Sequence, residues 1–196
     1  MQLMKIVASF VVLAGLVSTS HSAFAADPEN TMIITLKDGD VTVALRPDLA
    51  PKNVAQVKKL VRDGAYDNVA FHRVIDGFMA QTGDVRYGDM KDGYNAEAVG
   101  TGGSDLPDLP AEFSTSEHFV RGVVGMARSQ DPNSANSQFF IMFAPAPSLD
   151  GQYTIIGTVE SGMDLVDKIK KGDEAQNGVV EDPDSMLKVR IAADGK

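Results

Sequence analysis

The run of residues 71–84 most constrains the fold, because it sets one permanent cation among large apolar side chains. Apolar residues of this kind favour burial, whereas Arg73 keeps its charge and must be paired or face a cleft. A glycine interrupts the run, as happens at a turn or bulge between two strands. If the second strand begins at Phe78, alternation puts Met79 and Gln81 on the opposite face. The run therefore predicts two strands, and an apolar patch beside a guanidinium and a primary amide that could hold a peptide without attacking it.

Hydrophobic periodicity along the rest of the chain predicts many short strands and two helices. Helical spacing begins at Pro51 and ends at Gly64, and a second helix is predicted from Met163 to a stop at Gly172. Residues 85–110 are rich in Gly, Asp and Pro, which predicts loops. The pattern favours a mostly antiparallel β fold capped by helices, and leaves barrel and sandwich as alternatives. Strand patterns occur at residues 32–37, 41–45, 69–75, 78–82, 123–127, 138–143, 154–159 and 186–192.

Residues 1–25 predict a secretory signal peptide, followed by a single folded domain at residues 26–196. Lys5 supplies the positive n-region, residues 6–17 form an apolar core, and an Ala-Phe-Ala motif ending at Ala25 predicts cleavage there. A membrane anchor is the alternative, but the apolar run is short for a span and lacks a basic stop-transfer flank. We therefore expect a mature chain without stable membrane insertion, located in the periplasm of a Gram-negative bacterium or else secreted.

Composition and motif content exclude several classes of function. The formal net charge of −9 argues against nucleic acid or anionic membranes as partners, because both require clustered Lys and Arg. The absence of cysteine excludes disulfides and thiolate chemistry. His72 and His118, the only histidines after the predicted cleavage point, are too few for a three-histidine metal site. The scattered acidic residues give no support for a glycosidase-type carboxylate pair. We therefore expect no metal and no cofactor.

Two segments of the chain resemble the signature of the cyclophilin family of peptidyl-prolyl cis-trans isomerases. The first is FHRVIDGFMAQTGD at residues 71–84, and the second is GMARSQDPNSANSQFFI at residues 125–141. The likeness continues through residues 149–151 to residues 156–157, and covers nearly all of the chain after residue 30. The resemblance implies a closed eight-stranded antiparallel β-barrel, capped by two α-helices, with its site on the outer surface.

The resemblance also implies an isomerase that acts on X-Pro bonds of exported proteins and assists their folding, without cofactor or covalent intermediate. Arg73 is the expected catalytic donor to the prolyl nitrogen. Gln81 is expected to hold the substrate backbone or orient Arg73, and Ala127 to offer a main-chain contact. The residues expected to bind the substrate are His72, Phe78, Met79, Gln81, Ala127, Gln138, Phe140, Leu149 and Tyr153.

Other interpretations of these residues remain open at this level. Taken alone, Arg73 fits a structural salt bridge, and Phe78, Met79 and Phe140 fit a core, since most large apolar residues are buried. Only the match of both segments favours the site. A peptide-binding chaperone or scaffold without useful catalysis is the rival function, while a metal or hydrolytic enzyme has no group of residues behind it. We expect proline-containing polypeptides as partners of a monomeric protein.

A few positions depart from the pattern of the family that the chain resembles. Ser148 stands where many members carry an aromatic residue linked to cyclosporin binding, so weak inhibition by cyclosporin is expected. Tyr153 stands where better-known members have histidine. Arg128, expected at the rim of the site, and Ser129 replace smaller or neutral residues, which predicts altered preference for residues that flank proline. The connection at residues 85–99 is longer than the family's usual one.

Overall fold

The computed structural model describes residues 27–195, which form ten strands and two α-helices. The predicted signal peptide lies outside the described residues. Among the residues described, no helix is both long and apolar enough to cross a membrane. The helices are α1 (Pro51–Arg62) and α2 (Met163–Val166), and the strands are β1 (Thr31–Leu36), β2 (Gly39–Leu45), β3 (Val69–Ala70), β4 (Arg73–Ile75), β5 (Met79–Thr82), β6 (Val123–Met126), β7 (Phe139–Met142), β8 (Ile155–Ser161), β9 (Ser185–Met186) and β10 (Lys188–Ile191).

Eight of the strands form one curled antiparallel sheet in the order β10-β1-β2-β8-β6-β7-β5-β4. This sheet is open, because β10 and β4 are its two edges, and the expectation of a closed barrel is therefore wrong. Beside β4, the chain segment around Gly178 makes isolated hydrogen bonds and does not form a further strand. One of these bonds runs from Val74 N–H to the Gly178 carbonyl at 2.8 Å. Asn177 and Gly178 have φ of 56° and 80°, which interrupts the extended backbone that a further strand requires. Strands β3 and β9 form a separate two-residue antiparallel ladder.

Helix α1 buries one face against the sheet, and its N-terminus is capped by a residue that is distant in the sequence. Proline at its first position is compatible with the missing N–H donor. Ala50 has no side chain able to cap the helix, and Glu112 takes that role by accepting hydrogen bonds from the N–H groups of Lys52 and Asn53 at 3.1 and 3.0 Å. A carboxylate at this end also favours the helix dipole. The buried apolar face consists of Val54, Val57, Leu60 and Val61.

Helix α2 is shorter than the sequence predicts. After its last residue, Lys168 N–H and Ile169 N–H donate to carbonyls only three residues earlier, so the α-helix tightens and ends. The predicted strand at residues 69–75 is likewise divided into β3 and β4 around Phe71 and His72. Strands β4, β5, β7 and β6 lie side by side at one end of the open sheet. This half of the sheet carries the candidate site.

Candidate active site

The register of four adjacent strands places the functional side chains of the site in one row across the sheet. Arg73 on β4 pairs with Gln81 on β5, which pairs with Phe140 on β7, which in turn pairs with Gly125 on β6. Directly opposed residues in an antiparallel ladder point to the same face of the sheet. Strand pairing therefore places a guanidinium, an amide and an aromatic ring next to one another on the outer face, although 67 positions separate the first from the last of them in sequence (140 − 73).

The first cavity on this face, which we call the apolar cavity, has a volume of about 210 Å³. Eight of the ten predicted site residues meet here. Phe78 lies in the turn before β5, which begins at Met79, so it shares the cavity with Met79 and Gln81; its predicted position on the opposite face is wrong. Arg128 is the one lining residue that was expected only at the rim. The lining consists of Arg73, Phe78, Met79, Gln81, Ala127, Arg128, Phe140, Leu149 and Tyr153.

Aromatic packing fixes the floor of the apolar cavity. Phe140 stacks on Phe119 with ring centroids 5.8 Å apart, and Tyr153 meets Phe140 edge-on, also at 5.8 Å. Gly125 lies behind both phenylalanines. A Cβ there would lie 2.6 Å from Phe140 Cζ and 2.7 Å from Phe119 Cε1, so a side chain at this position would displace the rings. The sequence analysis missed Phe119, whose only sequence signal is an aromatic residue shortly before β6.

Arg73 is held at the cavity wall by neutral partners. Its Nε donates to the Asn177 carbonyl at 3.0 Å and its Nη2 donates to Asn177 Oδ1 at 3.0 Å. On the other side, Nη1 donates to Gln81 Oε1 at 3.2 Å. Burial lowers the pKa of Arg73, but a guanidinium of this kind stays protonated in proteins. Sequence reasoning missed Asn177, although the dipeptide that it forms with Gly178 is typical of a left-handed turn.

A chain of hydrogen bonds continues from Gln81 to a buried carboxylate. Gln81 Nε2 donates to Gln138 Oε1 at 2.9 Å, and Gln138 Nε2 donates to the carbonyls of Gly100 and Gly102 at 3.0 and 2.8 Å. The N–H groups of the same two glycines donate to Asp84 Oδ2 at 2.7 and 2.9 Å. Asp84 is fully buried, so its charge is balanced by these main-chain donors.

This chain of bonds borders a second cavity, which we call the polar cavity, with a volume of about 250 Å³. Gln81, Ala127 and Arg128 line both cavities and therefore form the ridge between them. Gln138, a predicted substrate contact, faces this second cavity and not the first. The lining consists of Gln81, Gly100, Thr101, Gly102, Ala127, Arg128, Ser129, Ser134, Asn136, Ser137 and Gln138.

His72 is the one predicted site residue that lines neither of these two cavities. It precedes Arg73, and its side chain is 5% exposed. Its ring lines a separate cavity, between residues 94–99 and 170–182. Neither ring nitrogen has a hydrogen-bond partner among the described residues. Burial lowers the pKa of His72, so the neutral ring is favoured.

Comparison with known proteins places this geometry in a family. Residues 31–191 match the family described as "Cyclophilin type peptidyl-prolyl cis-trans isomerase/CLD". The chain is 67% identical over 189 residues to the "Probable peptidyl-prolyl cis-trans isomerase" of Brucella suis, an alignment that covers 96% of this chain and 95% of the relative.

Solved structures give the same result. A cyclophilin from Hirschia baltica superposes with a TM-score of 0.72 at 27% identity, covering 87% of this chain and 77% of its own. A cyclophilin-type isomerase of Cryptosporidium parvum, crystallised in the presence of the dipeptide Ala-Pro, gives 0.69 at 26% identity over 82% and 98% of the two chains. The chain therefore belongs to the cyclophilin family, and it is a peptidyl-prolyl cis-trans isomerase.

Proposed function

We propose that Arg73 is the catalytic group and that it acts as a hydrogen-bond donor to the prolyl nitrogen of the substrate. An X-Pro bond rotates slowly because resonance gives it partial double-bond character. As the amide twists, this resonance is lost and the nitrogen regains a lone pair that accepts a hydrogen bond. A donor fixed beside that nitrogen stabilises the twisted state more than either planar state, and this difference lowers the barrier.

The way Arg73 is held supports this role. Its partners are an amide side chain and a peptide carbonyl from Asn177 and an amide oxygen from Gln81, so no carboxylate neutralises the guanidinium. These contacts occupy three of the five N–H groups of an arginine. A fourth has only the weak acceptor Met79 Sδ at 4.0 Å. Two N–H groups therefore lack an oxygen acceptor among the described residues and are available to a substrate.

We place the proline ring of the substrate in the apolar cavity, against Phe78, Met79, Phe140 and Leu149. An apolar ring gains from leaving water for such a surface. The Cryptosporidium parvum relative was crystallised in the presence of Ala-Pro, which is consistent with a small proline-containing ligand. On this placement the ridge residues Gln81 and Ala127 contact the peptide backbone, and Tyr153 closes the edge of the cavity. Gln138 contacts the part of the substrate that enters the polar cavity.

Substitution of Arg73 tests the proposed mechanism. We expect Arg73→Ala to lower kcat/KM by about 10²–10³-fold, the usual cost of removing a fixed donor to a developing lone pair or charge. The measurement is isomerisation of an X-Pro peptide followed by NMR exchange, which needs no coupling protease. Arg86→Ala is the matched control, because Arg86 is exposed and its side chain pairs, among the described residues, only with Asp105.

Two results would contradict this assignment. Equal rates for wild type and Arg73→Ala, both well above the uncatalysed rate, would assign catalysis to another group. Equal rates near the uncatalysed rate would leave only peptide binding, the function of a chaperone or scaffold.

We also propose that the enzyme acts on exported proteins in the periplasm. The support is the signal-peptide pattern at residues 1–25, with its basic residue, apolar core and cleavage motif. Expression of the full chain in a Gram-negative host tests this. A periplasmic product whose mass corresponds to a chain that begins at Ala26 is the expected result. Uncleaved protein confined to the cytoplasm would contradict it.

A further inference from the structure

The arginines of this protein divide into two groups by their partners. The chain has seven arginines, all of them among the described residues. Five have a carboxylate oxygen within 3.9 Å. The two without such a partner are Arg73 and Arg128, and both line the apolar cavity. The five paired arginines are Arg46, Arg62, Arg86, Arg121 and Arg190.

Arg128 is fixed in place although no acidic group balances its charge. Its Nη2 and Nε donate to the Gln152 carbonyl at 3.0 and 3.3 Å, and its Nη1 donates to the carbonyls of Ser129 and Gln130 at 2.8 and 3.4 Å. Its guanidinium carbon lies 4.4 Å from the centre of the Tyr153 ring, a cation–π contact. The half-buried side chain is therefore oriented before any substrate arrives, and its charge remains unpaired.

The two cavities that Arg128 lines have no acidic residue in their lining. Arg128 lies on the ridge between them. The absence of Asp and Glu from this lining is unusual for a chain with 27 acidic residues and a net charge of −9. A cleft that carries one sign of charge attracts ligands of the other sign, even when the molecule as a whole repels them.

We propose that Arg128 binds a carboxylate of the substrate, so that the enzyme prefers polypeptides in which Asp or Glu lies close to the isomerised proline. This inference rests on the proposed placement of proline in the apolar cavity. Arginine suits the task because it stays protonated at neutral pH and a hydrogen bond from its charged group to a carboxylate is stronger than one between neutral groups. The acidic side chain lies over the ridge, where the one N–H of Arg128 without an acceptor among the described residues, on Nη2, can donate to it. The preference is opposite to the one that the net charge of the protein would produce.

Peptides with blocked termini, so that a side chain supplies the only carboxylate, test the proposal. A matched series carries Glu, Gln or Lys at one position before or after proline, and isomerisation is measured by NMR exchange. We expect kcat/KM of wild type to be about fivefold higher for Glu than for Gln in at least one position, and lowest for Lys. Raising the ionic strength from about 20 mM to about 500 mM should reduce this ratio, because the contact is open to solvent.

Variants assign the preference to Arg128. In Arg128→Gln the Glu-to-Gln ratio should fall to about one, and Arg128→Lys, which keeps the charge but loses the main-chain contacts of the guanidinium, should retain part of it. Arg86→Gln, which removes an exposed arginine outside both cavities, should keep the wild-type ratio. The ratio in Arg128→Lys and its salt dependence in wild type decide the matter even if Arg128→Gln fails to fold.

Two outcomes would overturn the inference: equal rates of wild type on Glu and Gln peptides in every position, or an unchanged ratio in Arg128→Gln. Affinities of the same peptides for Arg73→Ala, measured by chemical-shift titration, separate this inference from the proposed mechanism. A Glu preference in binding would support the role of Arg128 even if Arg73 had no part in catalysis. No preference in binding, together with an intact effect of Arg73, would reject Arg128 alone.

Discussion

The two cavities of the active site share a ridge but are held together by different interactions. The apolar cavity depends on close packing of three aromatic rings over Gly125, which has no side chain to displace them. The polar cavity depends on hydrogen bonds that lead from the buried carboxylate of Asp84 through the main chain of Gly100 and Gly102 to Gln138. Packing is sensitive to volume, whereas a hydrogen-bond network is sensitive to the loss of a single donor or acceptor.

The position of Arg73 depends both on the packing of the apolar cavity and on the hydrogen-bond network of the polar cavity. Arg73 lines the apolar cavity, yet its orientation is set through Gln81, which belongs to the hydrogen-bonded chain, and through Asn177. A non-covalent catalyst has only the position of its donor with which to lower the barrier. Changes that damage either cavity should therefore reach catalysis, but by different routes and with different structural signatures.

The largest effect is expected where the polar cavity is anchored. Asp84→Asn keeps the shape of the side chain but replaces one acceptor oxygen with a donor that faces the N–H groups of the backbone. Because Asp84 accepts four such bonds in a fully buried position, we expect a loss of about 3 kcal/mol in the free energy of unfolding. Urea denaturation measures this loss, and NMR should show displaced amide signals of Gly100 and Gly102.

A matched control for this change is Asp105→Asn, because the Asp105 side chain is fully exposed and pairs only with Arg86. An exposed pair of this kind contributes less than about 1 kcal/mol. Similar losses of stability in Asp84→Asn and Asp105→Asn would show that the buried carboxylate does not anchor the polar cavity.

The next largest effect is expected in the apolar cavity. In Gly125→Ala the added Cβ would lie 2.6 Å from Phe140 Cζ, so the Phe140 and Phe119 rings must move. Overpacking of this kind costs about 1–3 kcal/mol, and the displaced floor should also raise KM. Gly93→Ala serves as the control, since a Cβ there meets nothing within 4 Å. Unchanged stability and KM in Gly125→Ala would show that the floor tolerates repacking.

A smaller effect is expected at the support of Arg73. Asn177→Gly removes the Oδ1 acceptor but preserves both the peptide carbonyl and the left-handed backbone, for which glycine carries no steric cost. We expect kcat to fall about tenfold with little change in KM, because one charge-assisted hydrogen bond to the guanidinium is lost. A fall in stability without any fall in kcat would limit Asn177 to a structural role.

The smallest effect is expected from pH, because neither cavity is lined by His, Asp or Glu. Arginine stays protonated throughout the neutral range, and burial lowers the pKa of His72, whose ring lies outside both cavities. For a neutral peptide we expect kcat/KM to change less than about twofold between about pH 6 and 8. A steep pH profile in this range would contradict the prediction, because it would require a titrating group outside the lining of the two cavities.

Much of the site could be predicted from the chain because it lies in two contiguous runs. Strand alternation put Met79 and Gln81 on one face, and the permanent charge of Arg73 required a cleft or a partner. The structure brings these residues together with Ala127, Phe140, Leu149 and Tyr153 around one cavity. The family resemblance supplied the second run, which composition and periodicity alone would have assigned to core.

The contacts that orient the site were beyond sequence reasoning because they join distant parts of the chain. Arg73 and Asn177 are 104 positions apart, and Gln81 and Gln138 are 57 positions apart. The stacking of Phe119 on Phe140 depends on the empty space at Gly125, which only the packed structure reveals. The open sheet was mispredicted for a related reason, since the left-handed backbone at Asn177 and Gly178 interrupts pairing beside β4.

The amino-acid sequence was enough to indicate the family, through two matching segments, and the kind of chemistry available, through the intrinsic charge of each side chain. Which arginines keep an unpaired charge became clear only in the folded molecule, since pairing depends on where folding places the carboxylates. That distinction separates Arg73 and Arg128 from the five other arginines of this acidic chain. It also explains how a protein with a net charge of −9 presents a positively charged cleft to its substrates.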